Sequence, residues 1–388
     1  MAVCSHSASS NTSLCLCQTF TTHLFLPILY VAIFLTGIFG NILSLWIFGA
    51  KISGKSPTHI YLINLGISNM MLCLSMPFIA FYYALGTTWL ARSFVCQLAI
   101  NVLTPVLHTN IGVSMIILTW LAMSRFATLI QHGTGPRPNR CIKFLPGVFF
   151  SKLRNATFAL GVCLGTWAFV ATGIIPSVVI YSLKETEKVS ADEEACYSLV
   201  VEVGESGSQA FAIVGIIVFF LCLLVVLSAY VAVIRHFYRS RNNSAISDKH
   251  RVYSRVFRNI VVIQIVLVVC LLPYHIYKAV FIHLAKVNAM PGEHPSECHP
   301  MSIYVEIKNV LVCLASLRCS TDPIMYYLLD HTFRKYTKRL FRGSPKTQDS
   351  QSSKTMLENG QSACSKSPMT LKVNFHPKDP QNGHDVTL

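Results

Sequence analysis

The sequence predicts an all-α membrane protein: a seven-transmembrane helix bundle with a short interfacial eighth helix. Three observations predict it. Apolar segments of spanning length recur at 25–50, 60–85, 95–121, 158–181, 211–234, 260–277 and 303–329, each matching the ~20 residues an α-helix needs to cross the hydrocarbon. Hydrophobic residues make up 52% of the 388 positions and charged residues 13%, which excludes the surface of a soluble two-domain protein. The charges in the connecting stretches also separate by sign.

That separation orients the chain. The loops after the first, third and fifth spans carry Lys51, Lys55, Arg137, Arg140, Lys143, Lys152 and Arg154, then a basic run over 235–258 with Asp248 as its acid. The opposite loops carry Glu185, Glu187, Asp192, Glu193, Glu194, Glu202, Glu205, Glu293, Glu297 and Glu306. Basic loops stay in the cytosol, so the N-terminus is expected outside a multi-pass plasma-membrane protein. The net charge of +15 then points to anionic membrane lipid and a cytosolic partner rather than to nucleic acid. Met1 to His23 has neither Lys nor Arg, so a charged signal-peptide start is missing and the first span serves as the insertion signal. Four parts follow: an extracellular arm (1–24), the bundle (25–330), an amphipathic interfacial helix (331–342) and a disordered cytoplasmic tail (343–388). Cys4, Cys15, Cys17, Cys96, Cys196 and Cys298 fall on the oxidising side.

The elements follow in order. The arm is Ser/Thr-rich with a glycosylation sequon at Asn11, whereas the sequons at Asn155 and Asn242 face the cytosol and stay empty. Span one carries Gly40-Asn41; a carboxamide in lipid needs partners on other helices, so Asn41 is an inter-helix tie. Span two contains Asn64-Leu-Gly-Ile-Ser-Asn69, then Pro77. Span three runs down to Ser124-Arg125-Phe126, where an arginine taken alone is a positive-inside anchor. Span four holds Trp167 and Pro176, and span five holds Cys222 and ends near Tyr230. Span six is kinked by Pro273, with Cys270, Tyr274, His275 and Lys278 directed to the interior and its outer mouth. Span seven reads Arg318-Cys-Ser-Thr-Asp322-Pro323-Ile-Met-Tyr326. A charge at mid-span costs about 2.5–3.5 kcal/mol on insertion scales, so Arg318 needs a partner. Asp322 lies four residues on, on the same face, with Asn69 and Ser114 expected to complete the cluster. After it, Phe333, Thr337, Leu340 and Phe341 share a face flanked by Arg334, Lys335, Lys338 and Arg339, the pattern of a helix lying on a membrane surface.

These motifs together resemble the rhodopsin-like G protein-coupled receptors, and Pro273-Tyr-His-x-x-Lys278 is similar to their purinoceptor-like branch. The resemblance covers roughly 25–341 and implies a receptor passing an extracellular signal to a heterotrimeric G protein, with Arg125, Tyr230 and Tyr326 in the coupling roles. It implies a Cys96–Cys196 bridge, and a bridge from Cys298 to Cys15 or Cys17, both better placed than Cys4. The chain also departs from the family. Ser124 and Phe126 flank Arg125 where an acid and a tyrosine belong. Asn69 stands in place of the aspartate that binds sodium, Leu271 in place of an aromatic toggle, and Cys222 in place of the proline that bulges helix five. Cys96 to Arg125 is about one turn too long, placing an insertion near 99–105.

The resemblance implies a small extracellular, anionic ligand reached by the basic residue of span six, here Lys278, a lysine suiting a phosphate as a point charge. Lys308 at the outer end of span seven, His275 one turn below Lys278 and His108 in the outer half of span three complete the candidate site, His108 reading also as a hydrogen-bonded core histidine. Nucleotide, lysophospholipid and fatty acid all stay open. So does the alternative that both lysines snorkel to headgroups from the ends of their helices. The acidic second outer loop argues against a highly charged nucleotide unless it pairs with these lysines. A transporter, or a constitutively active or non-signalling seven-helix protein, is the alternative function, although inverted repeats and a charged path are lacking. Span seven has no mid-membrane lysine for a retinal. Metal-ligand helices and nucleophile elbows are missing too, so neither an enzyme nor a cofactor or metal is expected.

Overall fold

The computed structural model describes residues 16–52, 54–89, 93–133, 147–191, 196–204, 206–241, 261–262, 265–287 and 298–342. Among them the structure is helical, with isolated bridge residues at Gln18 and Cys298. Asn11, Asn242, the foot of the sixth span (251–260) and the tail from 343 lie outside the described residues.

Among the described residues, six helices are long and apolar enough to cross a membrane: Thr21–Lys51, Pro57–Leu85, Phe94–Thr128, Ala156–Tyr181, Ser206–Arg241 and Leu267–Val287. They are called helices one to six. The seventh crossing is made by two shorter helices in series, Ser302–Ser316 and Arg318–Leu329, joined at Leu317. Helix eight, His331–Arg342, follows directly. The elements close into a ring: one packs on two and seven, two on three and four, three on five, five on six, and six on seven. Helix three runs through the middle, 67% of its apolar window being buried against 22% for helices four and five. The outward faces carry Phe39, Leu164 and Leu224, all well exposed, as lipid-facing residues should be.

The break in helix seven explains a pair of residues in helix one. Pro323 has no N–H to give the carbonyl of Cys319, four residues back. Asn41 fills that gap, its Nδ2 donating to the Cys319 oxygen at 2.7 Å and to Gly37 oxygen at 2.9 Å. The approach requires glycine at position 40, where an added Cβ would lie 2.6 Å from Pro323 Cγ. Gly40-Asn41 is thus shaped to the proline of the neighbouring helix. Trp167 on helix four is tied similarly, its Nε1 donating to Asn64 Oδ1 at 3.1 Å.

Several boundaries differ from those read in the sequence. Helix six continues to Val287, ten residues past the expected end, because Phe281 and Ile282 stay buried between the polar residues at 278, 283 and 286 that interrupt the apolar run. Lys278 therefore sits well inside the helix and does not cap it. Glu306, counted as a loop acid, lies in the first half of helix seven and is 4% exposed. The long top of helix three is accommodated in a continuous helix with a wider, π-type turn at Ala99–Leu103, inside the stretch expected to hold an insertion. Helix five, lacking its proline, is an unbroken α-helix over Ser206–Arg241. A second unit begins at Arg339; in its described part Leu340 and Phe341 are exposed.

Candidate functional site

Halfway along the bundle, three helices bring their polar side chains into one buried cluster. Arg318 and Asp322 have side chains 0% exposed, and Arg318 Nη1 lies 2.5 Å from Asp322 Oδ2. The same oxygen accepts from Asn69 Nδ2 at 2.7 Å. The other arm of the guanidinium donates to Ser114 Oγ at 2.6 Å and Asn110 Oδ1 at 2.8 Å. Asn110 in turn donates to Ser68 Oγ at 2.7 Å. Asn69 Nδ2 also lies 3.4 Å from Asn41 Oδ1, which links the cluster to the tie that spans Pro323. Tyr326, fully buried, stands below with its ring against Phe48 and Phe333.

At one end the chain is held by two disulfides, Cys96–Cys196 and Cys17–Cys298, with Cα atoms 5.7 and 5.5 Å apart. The partner of Cys298 is Cys17, one of the two cysteines the sequence leaves open, with Cys15 the candidate beside it; Cys15 lies outside the described residues. Beside that bridge the arm docks on helix seven. Glu306 accepts from Thr19 N–H at 2.7 Å, Thr19 Oγ1 at 2.8 Å and Thr22 Oγ1 at 2.6 Å. Three donors satisfy a buried carboxylate that would otherwise be costly.

Two lysines line this end. Lys278 donates to Tyr274 Oη at 2.9 Å, and Tyr274 Oη lies 3.2 Å from His108 Nδ1. A lysine only donates, so the tyrosine oxygen accepts from it, and the same hydroxyl pairs with His108 in the direction set by the imidazole tautomer. No carboxylate pairs with Lys278 among the described residues. Lys308 is different: its side chain, 17% exposed, lies 2.5 Å from Glu202 Oε2. That pairing rules out snorkelling for Lys308. His275, expected beside Lys278, is instead part of the core. It stacks on Phe219 of helix five at 3.9 Å between ring centres, and its Nδ1 donates to Leu271 oxygen at 2.8 Å. It is 5% exposed, and the hydrogen bond one turn back fixes it there.

At the opposite end helix two begins with a capping box. Ser56 Oγ accepts from His59 N–H, and Ser56 N–H donates to His59 Nδ1. With Nδ1 accepting, the neutral ring carries its proton on Nε2, 3.0 Å from Asp330 Oδ2. Asp330 also caps helix eight, its Oδ1 accepting from Phe333 N–H at 2.7 Å. Burial pushes the Asp330 carboxyl up, but the hydrogen bonds from His59 and Phe333 and the nearby positive charge of Arg125 outweigh it and hold it below the usual carboxylate range. Its stabilising share is accordingly present above the ordinary carboxylate pKa and is lost as pH falls through the lower folded value.

A family model, 7 transmembrane receptor (rhodopsin family), matches residues 40–326. The chain belongs to the rhodopsin family of seven-transmembrane receptors. It is a signalling receptor and not an enzyme. The receptor is 37% identical over 336 residues to the human protein named Probable G-protein coupled receptor 82, covering 86% of this chain and 97% of the relative. The mouse protein of that name is 35% identical over 327 residues, covering 84% and 97%. More distant is the mouse G-protein coupled receptor 183, 24% identical over 324 residues, with 83% of each chain covered.

Within the receptor, Asn41, Asn69, Ser114, Arg318 and Asp322 come together, while His108 and Lys278 are joined only through Tyr274. Arg125 and Tyr230 lie in helices three and five, which pack together. Sequence reasoning passed over Asn110 and Tyr82, and named Tyr274 and Glu202 without giving either a partner. Asn110 had a usable signal, standing four residues before Ser114 and so on the same face of helix three. Glu202 had a general one, the pairing of the acidic second outer loop with the outer lysines, but which acid meets which lysine is decided between partners remote in the chain.

Proposed function

We propose that this receptor transduces an extracellular anionic signal, a nucleotide or a lipid, to a heterotrimeric G protein, with its N-terminus outside the cell. Lys278 carries the reading. It is a part-buried cation within the bundle whose partner is a neutral tyrosine, and two of its three N–H donors stay available for an anionic oxygen. The tyrosine and His108 below it orient the ammonium, and neither competes for it with a negative charge. Arg125, Tyr230 and Tyr326 form the cytosolic coupling group, and the basic helix eight rests on anionic lipid.

Alanine at Lys278 is expected to weaken the active member of a panel of anionic lipids and nucleotides. A charge-assisted hydrogen bond is worth about 1.5–3 kcal/mol, so the half-maximal concentration rises by roughly tenfold or more. The measurement is G protein activation at matched surface expression. Unchanged potency at Lys278→Ala rejects the assignment.

The coupling end carries its own prediction. Serine at 124 has no charge to offer Arg125, and an aspartate there adds an ion pair that favours the resting arrangement of helix three. Basal G protein activation by the native receptor should therefore exceed that of Ser124→Asp by several-fold, a difference of about 1 kcal/mol in the resting equilibrium. Equal or higher basal output in Ser124→Asp removes this reading of the inner end.

A further inference from the structure

The short helix Leu199–Val203 lies in the second loop of the disulfide end, between Cys196 and Gly204. The side chain of Glu202 is only 6% exposed, yet it comes from a loop, and both its carboxylate oxygens are recognised by helices. Tyr82 Oη on helix two donates to Oε1 at 2.6 Å. Lys308 Nζ on helix seven lies 2.5 Å from Oε2 and donates to the Glu202 backbone oxygen at 2.6 Å. The ammonium also stands 5.4 Å from the centre of the Phe281 ring of helix six, which gives the site an aromatic wall. The loop is fixed at one side by the Cys96–Cys196 bridge. Its other side turns at Gly204, whose φ of 76° is open to glycine and strained for most other residues.

We propose that this end of the receptor holds a carboxylate-recognition site which the chain fills with its own Glu202. The recognising groups sit on packed helices, while the acid sits on a five-residue segment between a fixed bridge and a glycine turn. This is the arrangement of a ligand in a site more than of two walls braced together. The ligand class is a carboxylate borne by a small extracellular molecule, which competes with Glu202 for Lys308 and Tyr82. Displacement frees the segment to pivot about Gly204 while the bridge retains it. The proposal deepens the anionic-signal reading and rests on it only in taking the disulfide end as extracellular.

The test is chemical rescue. Glu202→Ala deletes one methylene and the carboxylate, a group the size of acetate. The variant, purified in neutral phosphatidylcholine nanodiscs, is expected to melt about 5 °C below the native receptor. Millimolar potassium acetate or propionate should restore at least half of that loss, potassium chloride at equal ionic strength should not, and adding Lys308→Ala should abolish the rescue. Acetate that fails to raise the melting temperature of Glu202→Ala, or raises it equally without Lys308, overturns the proposal. Should the alanine variant fail to fold, Glu202→Gln keeps the shape without the charge. Deuterium uptake over 197–203 should then exceed that of the native chain, and equal uptake overturns the proposal as well. Rescue depends on Lys308 and not on Lys278. A receptor that answers anionic agonists without rescue sinks this site alone, and rescue in a receptor whose agonist response ignores Lys278 sinks the other reading alone.

Discussion

Asp322→Asn is expected to reach the cell surface at a small fraction of the native level, and Arg318→Asn at a clearly higher one. The two residues face each other 2.5 Å apart with no solvent exposure, so a simple count of lost bonds predicts similar damage. Charge decides otherwise. A carboxyl left alone in the bundle can take up a proton and become neutral, whereas a guanidinium cannot shed its charge. In Asp322→Asn the arginine keeps Asn110 and Ser114 but loses its counter-charge. Breaking a buried pair in this way costs about 3–5 kcal/mol. In Arg318→Asn the remaining acid keeps the Asn69 bond, and Asn110 keeps Ser68. Adding Arg318→Asn to Asp322→Asn should therefore recover much of the lost expression, because the second change removes the stranded charge. Surface labelling and thermal melting of the four proteins measure this. Equal or better expression of Asp322→Asn than of Arg318→Asn contradicts the account.

Sodium at physiological concentration is expected to leave both basal signalling and thermal stability of the native receptor unchanged, with choline as the replacement cation. The resemblance to rhodopsin-like receptors implies a sodium ion held by an aspartate at position 69. Here Asn69 is a donor, giving its Nδ2 hydrogen to Asp322. Arg318 already brings a positive charge to that carboxylate. A second cation would lose its water to meet a site whose negative charge is spent. The double variant Asn69→Asp, Arg318→Asn reverses both halves of the exchange, and sodium should then raise its melting temperature. Ligand binding to the folded state stabilises by about 2.7 kcal/mol at a hundredfold excess over the dissociation constant, and each kcal/mol shifts the melting temperature by about 2 °C or more. A sodium effect on the native receptor defeats the idea that the guanidinium replaces the ion.

The sequence by itself determined what depends on a residue and its near neighbours in the chain. Spanning helices are legible because lipid leaves a backbone no other way to satisfy its hydrogen bonds, so length and apolarity suffice. Arg318 and Asp322 were legible as a pair because a four-residue spacing puts them on one helix face. Helix ends were less so. Lys278, His283 and Lys286 interrupt the apolar run of helix six, yet packing of Phe281 and Ile282 carries the helix on past them. Only the tertiary structure decided which of two chemically equal residues takes a partner: Cys17 over Cys15, Lys308 over Lys278 for the loop carboxylate, and Phe219 over the mouth for His275. Each choice is made across more than fifty residues of chain, where no periodicity reaches. What decides it is which helix face the ring of packing turns toward which neighbour. The pairing of Gly40-Asn41 with the carbonyl freed by Pro323 belongs to both. The need for a partner is written in the residue, and its identity in the fold.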